Sequence, residues 1–152
     1  MDTSYIIRGA KIEDLPQLIE LVAAHTAYEK WEGYRREGKQ VALQQLMFAN
    51  DPKIQCLVVE ERGQLTGYTA FSKQYSMWEA MAYYYMDCLY LDASSRGKGI
   101  GAALILKIKA IADKDGCKLI QWQTPSFNVR AIRFYQRIGA TSREKQRFYL
   151  RW

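Results

Sequence analysis

Arg96-Gly97-Lys98-Gly99-Ile100-Gly101 lies between an apolar run and an amphipathic segment, and this junction decides the fold. The run before it, residues 83–91, is aromatic and aliphatic and reads as a buried strand. After it, Leu104, Ile105, Ile108, Ile111 and Ala112 recur at helical spacing within residues 102–115. A strand, a glycine-rich turn and a helix start together make an anion cradle. Glycine lets backbone approach a phosphate, the first-turn N–H groups point outward, and the helix dipole favours negative charge there. A P-loop is excluded, because Gly97-Lys98 is followed by glycine rather than Ser or Thr and lacks the longer preceding loop.

Working outward, residues 4–8 read as a first strand, and Asp14 and Pro16 mark a helix start with Leu15, Leu18, Ile19 and Val22 as its apolar stripe. Residues 29–38 are charged and aromatic without period and read as a loop. A second helix is expected over 41–49, with Leu43, Leu46 and Met47 inward, stopping before Asp51-Pro52. Strands at 54–60 and 65–72 flank Arg62-Gly63, a hairpin signal. Residues 74–80 read as a loop, and 81–91 as a long strand. Gly116 ends the helix after the glycine turn, and 118–124 is a strand that Pro125 breaks. Asn128 is a helix N-cap, Gly139 closes that helix, and 140–150 holds one or two last strands. This order predicts an α/β (α+β) domain spanning residues 1–152, a mixed sheet of six to seven strands with about four helices on both faces.

Composition narrows the function. The chain of 152 residues, 49% hydrophobic, supports a real core. No apolar run reaches the ~20 residues needed to span a bilayer, and the first residues lack a basic stretch followed by an apolar one, so no membrane or export role is expected. Cys56, Cys88 and Cys117 are odd in number and widely spaced, which fits neither a disulfide framework nor a zinc site and points to the cytoplasm. No metal is expected, and the one histidine, His25, is placed on the wet side of the first helix. Residues 1–95 carry 9 Lys+Arg against 13 Asp+Glu, a balance of −4, while residues 96–152 carry 13 against 3, a balance of +10. The basic half suits a polyphosphate cofactor and the acidic half a cationic second ligand. Basic residues stand singly among apolar ones, so nucleic acid is not the expected partner.

The residues resemble those of the GNAT N-acetyltransferases. That family's acetyl-CoA motif, Arg/Gln-x-x-Gly-x-Gly/Ala, matches Arg96 to Gly101, and a second pattern matches Asn128, Ala131, Phe134, Tyr135, Gly139 and Ala140. Within the family the chain is most similar to the diamine and spermidine N-acetyltransferases, through Ile7-Arg8-Gly9-Ala10, Ala27-Tyr28-Glu29, Trp78 and Asp87. It departs from them at Cys88, where that subgroup is acidic. The resemblance implies the GNAT fold and acetyl transfer from acetyl-CoA to the primary amine of a polyamine, diamine or amino-acid-like substrate, by direct attack in a ternary complex. It implies cofactor contacts at Leu89, Tyr90, Leu91, Arg96, Gly97, Lys98, Gly99, Ile100, Gly101, Ala102, Asn128, Ala131 and Tyr135. It also implies a homodimer.

Alkyl amines are mostly protonated at neutral pH, with pKa near ~10.4, so a base must take the proton; Asp87 is the first candidate, directly or through water. Tyr135 is the expected proton donor to the leaving sulfur. Tyr28, Glu29, Trp78 and Asp87 are the expected substrate contacts. Glu29 also reads as a solvated helix-end carboxylate, and Trp78 as a packed loop residue. A protein or peptide N-acetyltransferase and a non-catalytic acetyl-CoA sensor are the alternative readings.

Overall fold

The computed structural model describes residues 4–152. Strand β1 (Tyr5–Gly9) leads through a short 3-10 turn (Ile12–Asp14) into α1 (Leu15–Tyr28), followed by α2 (Lys39–Phe48). Strands β2 (Gln55–Glu61), β3 (Gln64–Ser76) and β4 (Met81–Leu91) follow, then α3 (Ile100–Lys114), β5 (Ile120–Trp122) and α4 (Val129–Arg137). The strands lie in sequence order, antiparallel from β1 to β4, and β5 joins β4 in parallel. A parallel neighbour needs a crossover, and α3 supplies it.

The β2–β3 hairpin turns on Arg62 and Gly63, both with positive φ, as a two-residue turn matched to strand twist requires. The entry to α1 is pinned by Arg8. Its guanidinium donates to both Asp14 carboxylate oxygens, at 2.7 and 2.9 Å, and to Glu60 at 2.9 Å. These bonds hold the Asp14 carboxyl below its ordinary range.

Helix α1 packs Leu18 and Leu21 against Val58, Leu65, Tyr68 and Tyr90 on one face of the sheet. On the other face α3 packs Ile108 and Ala112 against Phe71, Tyr84 and Met86, and Ile100 and Leu104 against Val59. Leu15, Val58, Val59, Ile100, Leu104 and Ile108 are fully buried.

Three expectations need correction. Among the described residues the sheet has five strands, not six or seven, because residues 141–152 form no strand and are exposed throughout. The polar stretch 142–147 has no apolar side chain to bury, and β5 offers an edge of only three residues. Residues 74–76, expected in a loop, extend β3, so the turn before β4 is confined to 77–80. In α2, Leu46 is 39% exposed rather than inward, and the helix buries no residue fully.

Candidate active site

The site starts where β4 ends. Asp92 caps the 3-10 turn Ala93–Ser95 by accepting from the Ser95 amide at 3.1 Å, and the fully buried Ser95 hydroxyl donates to Glu61. Gly97 and Gly99 then adopt φ of +78° and +79°, with open space where a side chain would begin. Their conformation therefore demands glycine, and the room beside them is left to a ligand. Gly99 caps α3 and accepts from the Ala103 amide at 3.1 Å. The amides of Ile100, Gly101 and Ala102 precede the first helical partner and stay available to an anion. These residues fit a diphosphate. Arg96 points elsewhere: it donates from Nε to the Leu91 carbonyl at 2.9 Å and lies over Tyr28 and Tyr90, 4.5 and 5.6 Å from the ring centroids. Lys98 stands 3.4 Å from Glu61.

Strand β4 changes face in its middle. Ala70 pairs with Cys88 and Phe71 with Met86, which leaves Asp87 as the extra residue of a β-bulge. Before the bulge, Tyr84 and Met86 pack toward α3. After it, Leu89 and Leu91 take that side while Cys88 and Tyr90 join the α1 core. Asp87 and Cys88 thus sit together, with 3.5 Å between the Cys88 sulfur and Asp87 Oδ2. Strand β5 pairs only with Tyr84, Tyr85 and Met86, so the β4 backbone from Asp87 onward has no strand beside it on that edge. The divergence exposes the stretch Leu89, Tyr90 and Leu91 to a ligand that can extend the sheet.

His25 is not on the wet side of α1. It is 9% exposed, stacked on Tyr90 with ring centroids 5.1 Å apart, and bonded at both nitrogens. Tyr68 Oη lies 2.8 Å from Nδ1, and Glu29 Oε2 lies 2.7 Å from Nε2. An aromatic face on β4 and a hydroxyl on β3 draw this polar ring inward, because each of its nitrogens finds a partner there. Sequence reasoning missed His25 and Tyr68. The i,i+4 spacing of His25 and Glu29 carried a local signal for the first; Tyr68 had none, since its partner lies 43 residues away.

Helix α4 supplies the remaining groups. Asn128 caps it by accepting from the Ala131 amide at 3.4 Å and donates to Thr124 Oγ1 at 3.3 Å. Phe134 lies against Gly101, where an added Cβ would come 3.1 Å from its ring, so α4 abuts the start of α3. Tyr135 meets Trp122 edge-on at 5.1 Å. Burial and the Glu29 carboxylate push its phenol up to about 12, which keeps it protonated at neutral pH. The same carboxylate acts on the Cys88 thiol, pushed up to about 12 chiefly by burial. Asp87 thus lies beside Cys88, and the Glu29 carboxylate acts on both Cys88 and Tyr135. Trp78 does not join them. It stands in the β3–β4 turn, 86% exposed, with the Lys145 ammonium 5.4 Å from its ring.

Comparisons with known proteins agree with this geometry. The model of the acetyltransferase (GNAT) family matches residues 20–140. The chain is similar to thialysine N-epsilon-acetyltransferase of Bos taurus, 29% identical over 143 residues, covering 89% of this chain and 83% of that protein. It is also similar to spermidine/spermine N(1)-acetyltransferase-like protein 1 of Homo sapiens, 25% identical over 144 residues, 88% of this chain but 20% of that protein. An aminoglycoside N-acetyltransferase in complex with CoA shares the fold, with a TM-score of 0.81 at 16% identity, covering 99% of this chain and 97% of that one. The glycine turn, the parting of β4 from β5 and the family match lead to one conclusion: the chain belongs to the acetyltransferase (GNAT) family and is an acetyl-CoA-dependent N-acetyltransferase.

Proposed function

We propose that the acceptor is the primary amine of a small, basic molecule: a diamine, a polyamine or an amino acid with an amino side chain. The observation that carries this reading is the exposed Asp87 carboxylate at the β4 bulge, 3.5 Å from the Cys88 sulfur, with the Glu29 carboxylate acting on the same thiol. Two carboxylates so placed favour a cation. The names of the bovine and human relatives, with thialysine and spermidine or spermine as their amines, support it.

Acetyl-CoA supplies an activated thioester carbonyl. The amides of Ile100, Gly101 and Ala102, beside Gly97, Lys98 and Gly99, hold the diphosphate. Leu89, Tyr90 and Leu91 align the pantetheine arm along the edge that β5 leaves, with Asn128 and Ala131 beside it and Arg96 fixing the turn. Asp87 takes the proton of the attacking amine, and Tyr135, held protonated by its surroundings, donates to the departing sulfur. Tyr28 and Glu29 hold the cationic remainder of the substrate, and Trp78 meets only a substrate long enough to reach the hairpin turn.

The same reading extends to a cytoplasmic homodimer. The three cysteines are free, and Phe148, Tyr149, Leu150 and Trp152 stand 65–107% exposed, as apolar side chains awaiting a second copy do. A thiol-release assay over a panel of diamines, polyamines and basic amino acids tests the substrate class. Turnover of at least one small amine is expected; turnover of peptide N-termini alone would overturn the reading.

A further inference from the structure

The last turn of α1 closes over the sheet with His25 bonded on both sides. Its Nδ1 lies 2.8 Å from Tyr68 Oη on β3, and its Nε2 lies 2.7 Å from Glu29 Oε2, one helical turn onward. The imidazole stacks on Tyr90, which pairs with Tyr68 across β3 and β4. Ring and hydroxyl come from neighbouring strands, and together they fix the imidazole in place and in plane. The hydrogen positions follow from the partners. An ionised carboxylate only accepts, so Nε2–H donates to Glu29 and Nδ1 accepts from the Tyr68 hydroxyl.

Glu29 stands where an anchored carboxylate has a use. It follows α1 directly, and the residues before and after it touch both sides of the cleft. Tyr28 meets Tyr90 of β4 edge-on, with ring centroids 6.2 Å apart. The Lys30 ammonium lies 4.7 Å from the Phe127 ring centroid, just ahead of the Asn128 cap of α4. Oε2 is held by His25 while the Glu29 side chain stays 32% exposed, so the carboxylate is fixed yet open to a ligand. Without the imidazole, a glutamate there would be loose. The helix dipole disfavours negative charge at a C-terminus, and the side chain has several rotamers to lose.

On the footing of the amine reading above, we infer that His25 is a positioning residue. Anchored by Tyr68 and Tyr90, it holds the Glu29 carboxylate ready for the second cation of the acceptor and so sets a preference for diamines over monoamines. The task falls to Glu29 because its neighbours are otherwise engaged. Asp87 takes the proton of the attacking amine, and the Cys88 thiol, pushed up to about 12 chiefly by burial, carries no charge at neutral pH. A distal ammonium, with pKa ~10.4, is charged throughout the neutral range. It binds better to a carboxylate already in place, because less rotamer freedom is lost when the two meet.

Steady-state kinetics at saturating acetyl-CoA test this role. The probes are the diamine of the panel that wild type accepts best and the monoamine of equal length, such as cadaverine and pentylamine. Glu29→Gln is expected to raise KM for the diamine about tenfold and leave the monoamine unchanged. Two amide replacements separate the two nitrogens of His25. In His25→Asn the amide stands where Nδ1 was and reaches Tyr68 alone; in His25→Gln it extends as far as Nε2 and can donate to Glu29. His25→Asn should therefore raise KM for the diamine about fivefold, with kcat within about twofold of wild type. His25→Gln should hold KM within about twofold of wild type. Monoamine turnover reports that each variant is folded, and its KM should not move. In the Glu29→Gln background His25→Asn should add nothing, as for a residue that acts through another.

Equal diamine KM values in the Asn and Gln variants, or a rise shared by the monoamine, would leave His25 a packing role and overturn the inference. An unchanged KM in Glu29→Gln overturns it as well, by removing the carboxylate on which it depends. So does a wild-type enzyme that accepts no diamine of the panel. One that acetylates no small amine at all overturns the substrate reading too.

Discussion

Asp14 and Tyr135 show how one residue's surroundings set its work. The Asp14 carboxyl is held low by Arg8 and by the Lys11 amide, which donates to it at 2.7 Å. A carboxyl whose pKa is depressed by folding adds stability above its unfolded value, and that stability is lost as pH falls through the folded value. Asp14→Asn is therefore expected to cost about 2 kcal/mol at pH 7, since Arg8 loses a charged partner in a half-buried place. Urea midpoints should show the gap between variant and wild type closing below about pH 4. At the reaction centre, Tyr135→Phe should reduce kcat roughly a hundredfold while calorimetry finds acetyl-CoA affinity unchanged. An equal rate would leave Tyr135 as a packing partner of Trp122. Asp87→Asn is expected to cause a loss of similar size, read in the same assay.

At the scale of elements, the legibility of the sequence follows the range of the forces involved. The α3 junction was readable because glycine spacing and helix periodicity are local, and Gly97, Gly99 and the Asn128 cap stand where the pattern put them. The bulge at Asp87 was not readable. It arises from pairing with Ala70 and Phe71, strand residues far off in sequence, and residues 83–91 look alike with or without it. His25 was misplaced for the same reason: its inward turn depends on Tyr68 and Tyr90. Gly67 tests how tightly β3 and β4 meet. A Cβ there would lie 2.5 Å from Leu91 Cδ2 and 2.9 Å from the Tyr90 carbonyl oxygen. Gly67→Ala should cost on the order of 1–3 kcal/mol in thermal or urea unfolding, because backbone cannot step aside as a side chain can. It should also weaken acetyl-CoA binding by displacing the Tyr90–Leu91 backbone.

For the molecule as a whole, charge and the last twelve residues matter most. Residues 96–152, with a balance of +10, include the cradle for a polyanion, so acetyl-CoA affinity is expected to fall as salt rises from 50 to 500 mM. Affinity independent of salt would mean that backbone dipoles alone do the holding. Removal of residues 141–152, none of which belongs to the described core, should leave the melting temperature nearly unchanged yet convert the proposed dimer to a monomer in light scattering. The expected count of six to seven strands fell to five in this same segment, whose aromatic side chains Phe148, Tyr149 and Trp152 stand exposed.

The tryptophans offer a practical return. Of the four, Trp31, Trp78 and Trp152 are exposed, and only Trp122 is sheltered, its indole against the Tyr135 ring at the mouth of the β4–β5 cleft. Replacing the three outer indoles with phenylalanine would leave a single fluorophore at that mouth, and its emission would report occupancy of the cleft without a label.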